Sequence, residues 1–167
     1  MNRVYSTLAL LFLLAIAAAA QAQNLPATTG ETLSGHRIVL AQAVGGHPAL
    51  LAACFSKDAG PSCDQWVKQA RTDPALAGVA VYEVAMLGRA PGFIRGMFES
   101  GMRKGLTGAE QDQLVILTVD EPLWRSYFGV TTDKDPWVVL IDSGGRILWH
   151  GHGAAANLEP LLKAALK

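Results

Sequence analysis

Cys54 and Cys63 are the only two cysteines in 167 residues, and their spacing decides what thiol chemistry is open to the chain. Dithiol exchange is fastest with an attacking thiolate at a helix N-terminus and a second thiol within one turn to resolve the intermediate. No Cys-x-x-Cys is present. The run Ser62-Cys63-Asp64-Gln65-Trp66 predicts a helix start with Ser62 as cap, where the helix dipole favours a thiolate at Cys63. Trp66 occupies the position three residues on, where a resolving thiol would stand. Cys54 ends the apolar run Ala49–Phe55, so it is either an inert small hydrophobe or the disulfide partner of Cys63. The bridge requires a Cα separation below about 7 Å.

Other residue types offer less. His150 and His152 alternate along a strand and share a face, which makes them weak candidates for a metal ion; exposed loop histidines are the simpler account. Trp124, Tyr127, Phe128 and Trp137 are either core residues or the lining of an apolar groove, with Trp66 close by. Phe93, Ile94, Met97, Phe98 and Met102 fall on one helical stripe, read as helix packing. Arg89, Arg95, Arg103 and Lys104 read as a solvated basic face. No Gly-x-Gly-x-x-Gly or phosphate loop occurs, and nothing in the sequence asks for a cofactor.

The elements that must position these residues follow from pattern. Asp135 to His150 is a proline entering an unbroken apolar strand, a Gly144-Gly145 turn, and a second strand, which is a hairpin. Strands are predicted at Ile38–Leu40, Ala49–Phe55, Gly78–Ala85 and Leu114–Val119. Helices are predicted from Cys63 to Asp73, Pro91 to Gly105, Glu121 to Phe128 and Asn157 to Leu166, with Asp120 and Gly129 as caps of the third. Strand–helix alternation with hairpins at both ends argues for one α/β domain. A mixed sheet lies at its centre, helices cover both faces, and an N-terminal β-hairpin leads in.

Residues 1–22 read differently. Arg3, the apolar run Leu8–Ala20 and the small-x-small end Ala20-Gln21-Ala22 predict a secretory signal cleaved near Ala22, or else a retained anchor. Cleavage would leave a domain of residues 23–167 in the periplasm or an equivalent exported compartment. It would remove Arg3 from the 14 basic residues against 14 acidic ones. So nearly balanced a charge excludes electrostatic capture of nucleic acid. Exported thiols are commonly oxidised, which favours a Cys54–Cys63 bridge, structural or redox-active.

Leu51 to Trp66, with Pro136 ahead of Trp137-Val138-Val139-Leu140-Ile141-Asp142, resembles the strand, active-site loop, first helix and late proline of the thioredoxin-like superfamily. The closer similarity is to the family of the mitochondrial ATP synthase assembly factor and its bacterial relatives, carried by Trp137–Gly151. The resemblance implies a thioredoxin-like fold over residues 32–167 and a cis Asp135–Pro136 bond beside Cys63. Pro136, Trp66, Trp124, Tyr127 and Trp137 would there hold extended peptide. The chain lacks the loop pattern with which peroxiredoxins bind peroxide, and the cysteine spacing of the copper chaperones of this fold.

Two functions compete. One is a non-catalytic assembly factor or chaperone whose expected partner is a protein client, membrane-embedded or close to a membrane. The other is a thiol–disulfide oxidoreductase in which Cys63 attacks and Cys54 resolves. A thiol–metal carrier would additionally need Cys63 close to His150 or His152.

Overall fold

A computed structural model describes residues 24–166, so the predicted export segment lies outside the described residues. The strands are β1 (Thr29–Thr32), β2 (Arg37–Val39), β3 (Ala49–Cys54), β4 (Ala80–Met86), β5 (Leu114–Leu117), β6 (Trp137–Ile141) and β7 (Ile147–His152). They form one sheet in the order β2-β1-β5-β4-β3-β6-β7. β3, β4 and β5 run parallel, while the β1, β2, β6 and β7 pairings are antiparallel. This is a thioredoxin-like α/β fold, with the predicted hairpins at both edges.

Every residue of β3 is buried, because its apolar side chains point alternately into two covered faces. Leu51 and Ala53 join Val84, Val115, Val139 and Ile141 on one face, under Trp124, Tyr127 and Phe128. Leu50 and Ala52 join Val138 and Leu140 on the other, under Trp66, Val67, Ala70 and Leu162. Each fully buried aliphatic side chain contributes roughly 1.5–3 kcal/mol. The β6–β7 turn is set by Asp142, whose Oδ1 accepts from the N–H groups of Gly144 and Arg146, both at 2.9 Å. Gly145 completes it at φ +81°, a conformation glycine adopts without cost.

The helices are α1 (Leu40–Ala43), α2 (Gly60–Thr72), α3 (Gly92–Arg103), α4 (Gly108–Asp112), α5 (Glu121–Phe128) and α6 (Ala155–Ala165). α1 and α4 are absent from the sequence reading. α4 has a capping box, in which Thr107 Oγ1 accepts from the Glu110 N–H and the Glu110 carboxylate accepts from the Thr107 N–H. The Thr-x-x-Glu signal for it was present.

Three local expectations are corrected. α2 starts at Gly60, before Cys63, with Ala59 as N-cap and no side-chain cap from Ser62; Pro61 lacks an N–H and fits a first turn where none is needed. Asp120 precedes α5 but its side chain makes no cap bond. It sits left-handed at φ 59°, and its carboxylate accepts from Thr28 Oγ1 at 2.9 Å. Asp135–Pro136 is trans, as is every described peptide bond. The Pro136 carbonyl accepts from Gly153 N–H at 3.1 Å, so the extended backbone simply continues the β6–β7 pairing.

Candidate functional site: a disulfide on the wall of an apolar cavity

Cys54 is the last residue of β3, and Cys63 lies one turn inside α2. Their sulfurs are joined in a disulfide with the Cα atoms 6.4 Å apart, within the range the bond tolerates. The two side chains pack with Ala59 in a small buried cluster of their own. The expectation that Cys63 begins the helix is overturned, although Lys57 and Asp58 of the preceding loop are exposed. Cys63 is 0% exposed, against 7% for Cys54, and its N–H is already bonded to the Ala59 carbonyl at 3.0 Å. The N-cap and third positions of α2, where an exposed thiol pair would use the helix dipole, are held by Ala59 and Ser62.

A cavity of about 520 Å³ opens beside Cys54, between the C-terminal ends of β3 and β4 and the inner side of α3. Its wall is largely Phe55, Met86, Leu87, Phe98 and Met102, with Cys54 at one point; Cys63 does not reach it. Lys57, Arg89, Asp64 and Glu83 add polar atoms. Arg89 is engaged by Glu121 at 3.3 Å and Asp133 at 3.9 Å, and Lys57 lies over the Phe98 ring at 5.8 Å. The loop after Cys54 is tied down. Ser56 Oγ donates to the Asp133 carbonyl at 2.5 Å, while Arg125 grips the Asp133 carboxylate and covers the Phe55 ring.

Glu83 is the unusual member. It stands on β4 opposite Ala52, two residues before the partner of Cys54 in the same ladder, so its side chain shares the Cys54 face of the sheet. It is buried, and no ion pair to it exists among the described residues. Burial first, and repulsion from Asp64 second, push its carboxyl up to about 7, with Arg71 and Lys68 opposing. A carboxyl near half-protonation at neutral pH can give or take a proton on the cavity wall.

The groove expected around Pro136 is not formed. Pro136 is buried, and Trp66, Trp124, Tyr127 and Trp137 are all core residues. Trp66 Nε1 donates to the Gly153 carbonyl and Trp137 Nε1 to the Thr132 carbonyl, both at 2.9 Å. Trp124, Tyr127 and Phe128 pack ring against ring beneath the sheet, because their three- and four-residue spacing aims them at one face. His150 and His152 are exposed on β7. His152 stacks on Trp137 at 4.4 Å and meets Asp135 at 3.1 Å. They stand opposite Val139 and Trp137, on the sheet face away from Cys63, so a shared thiol–histidine metal site is not assembled. Among the described residues no group of three metal-binding side chains occurs.

Sequence reasoning missed the cavity. Its one local signal was Glu83, a lone charge within the apolar run Val81–Ala85. The helical stripe reads from the sequence as helix packing. In the fold Phe98 and Met102 line the cavity while Phe93 and Met97 face solvent.

No family model and no curated protein matches the sequence. Solved structures do match in shape. A thiol:disulfide interchange protein from Bacteroides sp. superposes with a TM-score of 0.58 at 15% identity, covering 89% of this chain and 91% of that one. StoA from Bacillus subtilis gives 0.55 at 15%, covering 85% and 100%. Xanthomonas campestris peroxiredoxin Q gives 0.55 at 18%, covering 84% and 90%. At these identities the likeness establishes the thioredoxin-like fold and nothing narrower.

Proposed function

We propose that the chain is an exported protein that exchanges disulfides through the Cys54–Cys63 pair. The observation that carries this reading is that of the two bridged residues only Cys54 lines the cavity. Cys54 is then the sulfur attacked, and Cys63 the one that leaves, the reverse of the roles the sequence suggested. The thiol:disulfide interchange proteins of the same fold are consistent with it. Thiol labelling of residues 23–167 across a glutathione series tests the proposal. A reversible couple near or above about −250 mV supports it, and a bridge that stays shut below about −300 mV overturns it.

A second reading is favoured by Ala59 and Ser62, which leave the head of α2 without a thiol. In it the bridge is a staple, and the chain assists assembly of membrane or envelope proteins without catalysis, as the resemblance to the ATP synthase assembly factors suggests. The same titration separates the two. Export rests on the pattern of residues 1–22, and N-terminal sequencing of the processed protein should begin near Gln23. No described helix is long and apolar enough to cross a membrane.

A further inference from the structure

We infer that the cavity beside Cys54 is a selective thiol entrance, admitting a thiol on a slender apolar arm and disfavouring anionic ones. The inference rests on the exchange reading above and names the substrate class of that site. Three observations lead to it.

The first is direction. Cys63 has no exposed surface and Cys54 very little, and of the two only Cys54 lines the cavity. The cavity is thus the route by which an attacking thiolate would approach the bridge, past Phe55, Met86, Leu87, Phe98 and Met102. The second is size. About 520 Å³ falls within the ordinary range of small-molecule sites. It holds an alkyl thiol or one cysteine side chain with its apolar neighbours, but no folded surface. The third is polarity. Phenylalanine, methionine and leucine make up most of the wall, with Asp64 adding a carboxylate; Arg89 is engaged by Glu121 and Asp133 and Lys57 lies over the Phe98 ring. An anionic arm must shed water against that wall, whereas an apolar arm meets methionine and aromatic side chains that adapt to its shape.

The reaction is one exchange followed by a second. The substrate thiolate bonds to Cys54 Sγ, the Cys54–Cys63 bond breaks, and its electron pair leaves on Cys63 as thiolate. A second substrate thiolate then attacks the substrate sulfur of the mixed disulfide. Cys54 is released as thiolate, both protein sulfurs take up a proton each, and the substrate carries the new disulfide. Two electrons pass from the two substrate thiols to the protein.

The test follows reduction of the oxidised protein by 1-butanethiol, acetyl-Leu-Cys-Leu-amide and acetyl-Glu-Cys-Glu-amide, with each rate normalised to thiolate concentration. The expected result is that the two apolar thiols outpace the Glu peptide by about tenfold. A fast peptide with a slow alkanethiol would mark an extended chain as the source, the converse a small molecule, and either supports the inference. Ala90, half-buried on the cavity wall, is changed in Ala90→Trp to plug the entrance. The variant should slow both apolar thiols by about tenfold while its far-ultraviolet spectrum stays that of the parent. Equal rates for all three probes, or no effect of the plug in a folded variant, overturn the inference. The glutathione midpoint is measured alongside. A reversible couple with equal probe rates leaves disulfide exchange standing and removes only the selective entrance, and a bridge that no thiol opens removes both.

Discussion

α3 and α5 are both amphipathic, and both pack near the ends of the parallel strands, yet they are held in opposite ways. α5 spends eight residues to bury Glu121, Trp124, Tyr127 and Phe128. It stops on left-handed Gly129 and is anchored by Arg125, which bonds Glu121 at 2.7 Å and Asp133 at 2.6 Å. α3 spends twelve residues and buries none. Its Phe93 and Met97 are 73% and 70% exposed, and Phe98 and Met102 stand over a cavity. Two similar sequence patterns thus give a core helix and a roof. Periodicity reports that a face could be covered; only the surrounding elements determine whether it is.

The largest effect that tests this contrast is loss of the α5 core. Trp124→Ala should cost about 3–5 kcal/mol in urea unfolding, and a value near that of an exposed site would mean α5 is no better anchored than α3.

Charge supplies the next comparison. Glu121 in the first turn of α5 is buried with arginine partners, whereas Glu83 on the cavity side is buried without an ion pair among the described residues. Below about 4.5 the Glu83 carboxyl is protonated in folded and unfolded chains alike. Between its ordinary 4.5 and about 7 the unfolded chain ionises first, so stability falls as pH rises and the loss is complete above the folded value. The loss amounts to roughly 3 kcal/mol. Glu83→Gln should therefore match the parent at pH 4 and exceed it by roughly 2–3 kcal/mol at pH 8. Equal stabilities at both pH values would show that Glu83 is solvated or paired like Glu121.

The bridge comes third. Its sequence separation of 9 closes a short loop, so reduction should lower the folding free energy by about 2–3 kcal/mol, read from denaturation with and without reductant. A much smaller cost would mean the cavity side holds its shape without the bridge. The smallest effect is expected at the roof. Phe93→Ser should change stability by less than about 0.5 kcal/mol, and a cost rivalling that of Trp124→Ala would abolish the contrast between the helices.

The parts legible in the sequence are those that one segment specifies alone. Pro136 to Gly151 carries its own strands and turn, and Ala49–Cys54 announces a central strand by being apolar throughout. Gly60-Pro61 reads from the sequence as a turn, yet the same pair suits the first turn of a helix, and here it opens α2. The trans Pro136 shows the limit of reasoning from resemblance, for its carbonyl bond to Gly153 is made by the whole edge hairpin. The cavity was beyond reach because Cys54, Glu83, Met86 and Phe98 come from three separated elements. No spacing rule relates them until the sheet order is known.

The N-terminal hairpin joins the sheet through β5, where Glu31 pairs with Ile116 and Thr32 with Val115. A ribosome delivers the chain in the opposite sense to that dependence. β1 and β2 emerge early and have only each other, and a lone two-stranded hairpin is marginal in water. Their ladder to the sheet waits until β5 has been made, some eighty residues of synthesis later, and closing so distant a contact carries the entropic delay of non-local pairing. The first strands of the described residues are thus among the last to be secured, which gives any factor that binds nascent chains a long interval in which to hold this one open.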